Sequence, residues 1–168
     1  MPSTAFGSDL LFPRFDGVVR LRGELTVVET PKNPGFYWGN YLLMPRAPVA
    51  GDLSRWEELF DRAFEHRPDV RHKSFGIDCG DGDPGECAPF IDAGYELIDD
   101  ALLEATNLSA TTPVAGLVLR RLTRDEDWQR WHRLNQESDP LDGKGDGFAA
   151  FKAALRHRYE AMVKRKMG

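Results

Sequence analysis

Three segments of the sequence have features of a phosphate-binding loop, which presents backbone N–H groups at a helix N-terminus, usually through glycines. Residues 44–52 (MPRAPVAGD) follow an apolar segment and open a predicted helix, which is the right position for such a loop. Their chemistry is wrong, because Pro45 and Pro48 have no N–H to donate and Asp52 places a carboxylate where the anion would sit. We therefore predict no phosphate site at this junction.

The other two segments are rich in glycine but fit no better. Residues 78–86 (DCGDGDPGE) carry acidic side chains that would repel an anion, and glycines occupy two of the positions where an EF-hand needs oxygen ligands. Residues 143–147 (GKGDG) contain a lysine, but they follow a polar loop instead of a strand and lack the Walker spacing. We predict an acidic turn and a flexible loop, and no cofactor bound by this chain.

Residues for metal binding or nucleophilic catalysis are also sparse. None of the 4 histidines stands three or four residues from another, and the sequence contains no Cys-x-x-Cys. A Gly-x-Ser-x-Gly nucleophile motif is absent from it. The sequence predicts no metal site and assigns no catalytic residue.

Five residues are candidates for lining a substrate pocket: Tyr37, Trp38, Asn40, His72 and Asp78. The first three belong to an aromatic and apolar segment, in which a buried asparagine must find hydrogen-bond partners or face a cleft. The last two are six residues apart on one predicted strand, so we expect them on the same face. The alternatives are core packing for the aromatic segment and a plain surface pair for the histidine and aspartate.

The composition suits one compact domain, or one domain with part of another. No apolar run approaches the roughly 20 residues that span a bilayer, and the N-terminus lacks the basic residue of a signal peptide. The only cysteines, Cys79 and Cys87, could form one local disulfide, but a secreted scaffold would carry more of them. We predict reduced thiols in a cytoplasmic protein without a membrane partner.

The net charge of −5 hides an asymmetry along the chain. Residues 148–168 contain six basic residues and one acidic residue, a local charge of +5, which leaves −10 for residues 1–147. A nucleic-acid-binding protein is usually basic over a whole face, so the sequence argues against nucleic acid as a partner. The basic end remains a candidate local patch.

The elements that would position these residues form a mixed α/β pattern. Two short strands are predicted within 18–30, with further strands at 36–44, 70–78, 95–106 and 117–122. Helices are predicted from Asp52, acting as N-cap, to before Pro68, and at 86–93, 125–135 and 148–163. Residues 1–17 form an N-terminal arm and 109–114 a linker. The strand–helix–strand order in the middle favours a mixed sheet flanked by helices, of the α+β class.

Four stretches also resemble a known family. They are 33–43 (NPGFYWGNYLL), 71–78 (RHKSFGID), 93–97 (AGYEL), and a new start at 117–122 (LVLRRL) with Asp127-Trp128 on the following helix. Together they resemble the front region of tandem-repeat proteins of the GNAT (GCN5-related N-acetyltransferase) superfamily. The resemblance implies a degenerate first GNAT-like unit at 18–108 and, at 115–168, the first strand and two helices of an incomplete second unit.

The resemblance also implies where a coenzyme would bind. The family's pyrophosphate loop, Arg/Gln-x-x-Gly-x-Gly/Ala, joins the central strand to the next helix, and residues 44–52 depart from it at the glycines that matter. In the second unit the loop would come after Gly168. We expect an N-acyltransferase-related protein, its non-catalytic or incomplete portion, with acetyl-CoA and a small-molecule or peptide amine acceptor implied by the family alone.

A second hypothesis is a non-catalytic binding or dimerisation module with a GNAT-like fold. Strands missing from the sheet would leave an exposed edge, and an exposed edge favours pairing with another chain. The partner would be a second copy or a missing C-terminal unit. Association with nucleic acid through the basic helix ranks below both hypotheses.

Overall fold

The computed structural model describes residues 3–80, 82–100, 103, 105–107, 114–138 and 147–167. Mixed α/β architecture, predicted from the sequence, is confirmed. The helices are α1 (Thr4–Asp9), α2 (Leu11–Asp16), α3 (Asp52–Phe64), α4 (Ala88–Asp92), α5 (Asp125–Ser138) and α6 (Phe148–Lys164). The strands are β1 (Val18–Arg22), β2 (Leu25–Glu29), β3 (Tyr41–Met44) and β4 (Phe75–Ile77), with a 3₁₀ turn at Tyr37–Gly39.

The four strands form one sheet in chain order. The pairs β1–β2 and β2–β3 are antiparallel, whereas β3 and β4 are parallel and are joined through α3. Gly23 at the β1–β2 turn has a φ of 64°, a conformation that glycine adopts without strain and that a tight hairpin requires. The predicted hairpin and the predicted strand–helix–strand unit are therefore both present.

Neighbouring residues of β2 and β3 bury their side chains on opposite faces of the sheet. Val27 and Leu42 pack with the apolar face of α3 and with Phe90 of α4. Val28 and Leu43 belong to a second cluster. Alternation along a strand sends successive side chains to opposite faces, so a strand covered by helices on both sides shows an unbroken apolar run. The second cluster is completed by Leu10, Tyr41, Phe6 and Val19.

Helix α4 ends in a Schellman motif at the predicted C′ glycine. Gly94 has a φ of 92° and donates its N–H to the Ile91 carbonyl at 2.9 Å, while Tyr95 N–H bonds to the Phe90 carbonyl at 3.0 Å. The rings of Phe90 and Tyr95 lie 5.7 Å apart, which supplies the apolar contact that usually accompanies this motif. The motif fixes Phe90 in the core.

Helix α6 packs against the N-terminal part of the chain. The Phe36 and Phe151 rings are 5.4 Å apart, and those of Phe12 and Tyr159 are 6.0 Å apart. Trp131 of α5 meets Tyr159 edge-on at 5.5 Å. The apolar stripe predicted for the last helix is thus used for packing within the chain.

Several predicted elements are wrong in extent or in kind. The N-terminal arm, 1–17, contains α1 and α2, and the predicted strand 36–44 is strand only over β3. The predicted strand 70–78 is strand only at β4, because β3 offers too few residues to pair with the rest. The N-cap of α3 is Gly51 instead of Asp52.

Two further predicted strands are not strands. The described residues of 95–106 and 117–122 have no ladder partner, and Val118 and Leu119 are largely exposed. Apolar composition alone cannot make a strand, because its backbone N–H and C=O groups must pair with a neighbour. Most of the linker 109–114 and of the glycine loop 143–147 lies outside the described residues.

Candidate functional site

The structure brings three of the predicted site residues together near the start of β3. The Tyr37 ring stacks on the His72 imidazole, with centroids 4.1 Å apart and planes inclined by 26°. His72 Nε2 lies 3.2 Å from the Asn40 carbonyl oxygen, so in this contact Nε2 donates its proton and Nδ1 is the free base. Tyr37 is 59% exposed, which leaves one face of the stack open to solvent.

Asn40 is fully buried and its side chain is used inside the fold. Its Oδ1 accepts the Thr30 N–H at 3.0 Å. Its Nδ2 donates to the Asn33 carbonyl at 2.9 Å and the Phe36 carbonyl at 3.0 Å. The expectation that a buried asparagine must find partners is confirmed, and these partners tie the segment from Thr30 to Phe36 into a closed turn.

Burial lowers the pKa of His72, and the hydrogen bond to the Asn40 carbonyl opposes that effect. Removing a charged imidazole from water is costly, so the neutral ring is favoured in the folded protein. The stack therefore presents a neutral histidine and a phenol ring at the surface. Such a pair can accept a hydrogen bond and contact an apolar or cationic group.

Trp38 and Asp78 lie apart from that stack. Trp38 is 45% exposed and its ring meets Tyr41 edge-on, with centroids 6.4 Å apart. The Asp78 carboxylate accepts the Ser3 N–H at 2.8 Å. Burial, with the nearby carboxylates of Asp9 and Asp78, raises the pKa of Tyr41. The inference that His72 and Asp78 share a face of one strand is wrong in its premise, since His72 precedes β4 and Asp78 follows it.

The junction between β3 and α3 is closed by the chain's own groups. The Asp52 carboxylate accepts the Val49 N–H at 2.9 Å and an Arg46 N–H at 2.6 Å. Hydrogen bonding from Arg46 is the main cause that lowers the pKa of Asp52. The Pro48 carbonyl accepts the Glu86 N–H at 2.9 Å. An anion at this helix start would have to displace a carboxylate that is already paired.

The acidic turn at 80–85 packs onto the same junction through its last residue. Gly85 has a φ of 62°, and a side chain there would meet the Pro48 carbonyl. Asp83 Oδ1 accepts the Gly85 N–H at 2.9 Å. Neither Cys79 nor Cys87 is in a disulfide, and each thiol donates to a backbone carbonyl of this turn, that of Asp83 and that of Pro84 respectively. The predicted acidic turn is present at its described residues.

Sequence reasoning did not identify a buried ion cluster at the end of β2. Glu29 is 3% exposed and pairs with Arg20 across the hairpin and with His66 Nε2 at 3.0 Å. Arg67 Nη1 lies 3.9 Å from the same carboxylate. The only signal in the sequence is an acidic residue at the end of an apolar strand. The cluster joins the end of α3 to the sheet and has the geometry of a structural anchor.

Among the described residues, no group of three or more His, Cys, Asp or Glu side chains is arranged to hold a metal ion. No helix in the described part of the chain is long and apolar enough to cross a membrane. Comparisons with protein-family models, with curated proteins and with solved structures found no match. The class that fold and site define is a mixed α/β protein with a helix-covered four-stranded sheet.

Proposed function

We propose that this chain is the non-catalytic portion of a GNAT-type N-acyltransferase-related protein, a module without a coenzyme site of its own. The observation that carries the proposal is the closed junction between β3 and α3. In the family that the sequence resembles, the coenzyme's pyrophosphate sits between the central strand and the next helix. Here Asp52, paired with Arg46 and Val49, occupies the helix start.

The order of elements supports the relationship to that family. The resemblance implies a central strand followed by a helix, a strand and a further helix, and β3, α3, β4 and α4 have this order. The pairing of β3 with β4 is parallel, as a strand–helix–strand crossover requires. A predicted strand after α4 has no counterpart among the described residues, so the likeness covers the core of the first unit only.

The Tyr37–His72 stack is the surface through which such a module would contact an amine acceptor. It is exposed on one side and held by the Asn40 carbonyl on the other. Trp38 is a second exposed aromatic ring beside it in sequence. The Asn40 side chain holds the turn before β3 by its hydrogen bonds, and the Asp78 carboxylate already accepts a hydrogen bond from the Ser3 N–H.

The test is thermal unfolding of the whole chain with sub-millimolar acetyl-CoA. A ligand that binds only the folded state raises the unfolding temperature, so we expect no rise. Val49→Asp would add a second carboxylate at the junction, whereas Arg165→Ala removes a charge at the C-cap of α6, away from the junction. Suppose instead that acetyl-CoA raises the unfolding temperature of the parent chain and of Arg165→Ala but not of Val49→Asp. That result would show a working coenzyme site at the junction and contradict the proposal.

A second candidate function is assembly with another copy of the chain. It is favoured by exposed apolar residues beside backbone that is open to pairing. Leu21 lies on the edge strand β1, which pairs with β2 on one side only, and is 76% exposed. Leu119, which has no ladder partner among the described residues, is 88% exposed. Exposed edges of this kind favour pairing between chains. Light scattering over a concentration series should give a dimer mass that Leu119→Lys abolishes and Leu134→Lys, on α5, preserves. A monomer at every concentration would count against assembly.

A further inference from the structure

A cavity of about 240 Å³ lies between α2, the turn after β2, and α6. None of the five candidate site residues lines this cavity, and neither does any residue of the β3–α3 junction. Its polar lining comes from three separate parts of the chain. These residues are Asp16, Thr30, Lys32, Asn33, His157 and Arg158, with Arg165 at one side.

The floor of this cavity is buried and fixed by hydrogen bonds. Arg158 is 4% exposed, donates from Nε to Asp16 Oδ2 at 2.9 Å, and reaches Thr30 Oγ1 with Nη2 at 3.3 Å. Its guanidinium also lies 5.4 Å from the centre of the Phe36 ring. A planar guanidinium held by an ion pair and an aromatic face keeps one orientation, so the floor is organised before any ligand arrives.

The rim of the cavity carries positive charge that no carboxylate of the described residues neutralises. Lys32, His157 and Arg165 are exposed there, and within the described chain neither Lys32 nor Arg165 has a carboxylate within 4 Å. Arg165 instead lies over the Phe15 ring at 5.0 Å. Since Asp16 offsets Arg158, two full positive charges remain in a protein whose net charge is −5. A local excess of the opposite sign attracts an anion.

Basic residues at the end of a helix are also favoured by the helix dipole, which would explain Arg165 without any ligand. The dipole does not explain Lys32, which comes from the turn after β2. Nor does it explain the small residues Ala154 and Ala161, which share the cavity-lining face of α6 with His157 and Arg158. Their short side chains leave the open space between the helix and the turn.

We propose that this cavity binds a small phosphate-bearing anion. Lys32 and Arg165 contact the phosphate oxygens, His157 lies at the rim, and the Arg158–Asp16 pair forms the fixed floor. Arginine presents a donor fork that matches a phosphate, and lysine adds a point charge. The volume is below that of a typical drug-sized pocket, so the ligand is a phosphate group with a small substituent. The site is independent of the proposed function, because it shares no residue with the junction.

Calorimetric titration of the whole chain with inorganic phosphate and with glycerol 3-phosphate, at constant ionic strength, tests the site. We expect saturable binding of both, weakened by about tenfold in Arg165→Ala and in Lys32→Ala, as loss of one charged contact implies. Ala161→Leu should abolish binding by filling the space without changing charge, while circular dichroism confirms the fold. The matched controls Lys164→Ala and Lys166→Ala remove the same charge outside the cavity and should keep full affinity.

Three outcomes would overturn the proposal. The first is no heat of binding for either probe. The second is equal loss of affinity in Lys166→Ala and Arg165→Ala, which would indicate general attraction to a basic helix end. The third is tighter binding of citrate than of phosphate at matched ionic strength, which would make the site one for carboxylates. An acetyl-CoA response lost in Arg165→Ala would belong to this cavity and would leave the junction without a coenzyme.

Discussion

Single residues decide how the turn before β3 is held, and Asn40 is the most heavily used of them. Its Oδ1 accepts the N–H of Thr30, which is itself fully buried, and its Nδ2 donates to the carbonyls of Asn33, Pro34 and Phe36 in the turn. Thr30 and Asn40 are both fully buried. The side chain therefore acts as an internal clamp between β2 and β3.

Replacing this clamp should destabilise the protein strongly. Asn40→Ala leaves the buried Thr30 N–H without an acceptor, which we expect to lower the free energy of unfolding by about 2–3 kcal/mol. Asn135→Ala is the matched control, because the hydrogen bond of Asn135 among the described residues stays within its own helix, to the Trp131 carbonyl at 3.0 Å. Urea unfolding should show a change below about 0.5 kcal/mol for the control. Similar losses for the two variants would refute the clamp.

His72 should make the stability depend on pH. Burial lowers its pKa in the folded state, so the unfolded chain takes up a proton first as the pH falls below the ordinary value of 6.5. The stability contributed by the neutral ring is complete above that pH and is lost below it. His72→Gln, which keeps a neutral donor, should show a smaller loss of unfolding free energy between about pH 7.5 and pH 5.5.

The comparison that checks this assignment is the exposed His157, changed to Gln in the same way. Urea unfolding of His157→Gln should retain the full loss of stability between the two pH values. If His72→Gln and the parent chain lose equal stability on acidification, the neutral stack is not the source of the effect. Carboxylates that titrate in the same range are common to all three proteins and cancel in the difference.

The sequence predicted some of these residue roles and could not predict others. That a buried Asn40 needs partners follows from hydrogen-bond chemistry alone, and it is confirmed. The stack of Tyr37 on His72 could not be predicted, because the sequence pattern placed Tyr37 on a strand, whereas the chain makes a 3₁₀ turn there. Glu29 and its basic partners come from three elements, and spacing along the chain carries no signal for such a cluster.

Among the elements, the helices after β3 were predictable, whereas the N-terminal helices α1 and α2 and the later strands were not. The predicted helices all appear, with ends that move by a few residues, because their apolar periodicity and caps are local. A strand exists only with a partner, which is information held elsewhere in the chain. Residues 117–122 have the composition of a strand, yet they have no ladder partner and most of them are exposed. The α5 helix follows at Asp125, and the Asp127 carboxylate in its first turn accepts the Thr123 and Arg124 N–H groups.

The end of α4 gives a prediction at this scale. Gly94→Ala places a side chain on a residue with a φ of 92°, so the Schellman bonds form only with strain. We expect a loss of about 1–2 kcal/mol in urea unfolding, the cost of a left-handed conformation for an L-residue. Gly7→Ala is the control, since Gly7 lies in α1 with open space around it. Alanine there should be neutral or stabilising.

The contrast between the two glycines is what the experiment depends on. An equal loss in Gly7→Ala would indicate that any added methyl group disturbs the chain. An unchanged stability in Gly94→Ala would mean that α4 ends differently in solution. Because Phe90 and Tyr95 pack into the core beside this turn, the effect should also appear as a change in the near-ultraviolet circular dichroism of the aromatic residues.

At the scale of the whole molecule, α6 joins the two ends of the chain. The sequence predicted an amphipathic last helix but not its docking site, because many of the residues it meets lie more than a hundred positions earlier: Arg158 pairs with Asp16 across a separation of 142 residues. Of the basic residues in this helix, Lys152 and Arg158 are buried and Arg156 pairs with Glu160 at 2.6 Å. Much of the predicted basic patch is therefore used inside the fold.

Breaking the Arg158–Asp16 pair should weaken the docking of α6 on the N-terminal part of the chain and lower the free energy of unfolding. Arg158→Met keeps the length of the side chain but leaves the Asp16 carboxylate, which is 14% exposed, without its cation. We expect a loss of about 3 kcal/mol, as for a buried pair with one partner removed. Arg156→Met is the control, because an ion pair within one helix contributes about 0.5 kcal/mol or less. Urea unfolding measures both.

A double variant shows whether the loss of unfolding free energy in Arg158→Met comes from the unpaired Asp16 carboxylate or from lost packing. Asp16→Leu with Arg158→Met replaces both charges by apolar groups, and the exchange of a buried ion pair for apolar contacts is often neutral. Stability should then return close to that of the parent chain, and amide exchange in α6 should slow again with it. Equal losses in Arg158→Met and Arg156→Met would mean that the packing of Phe151 and Tyr159 holds α6 in place without the buried pair.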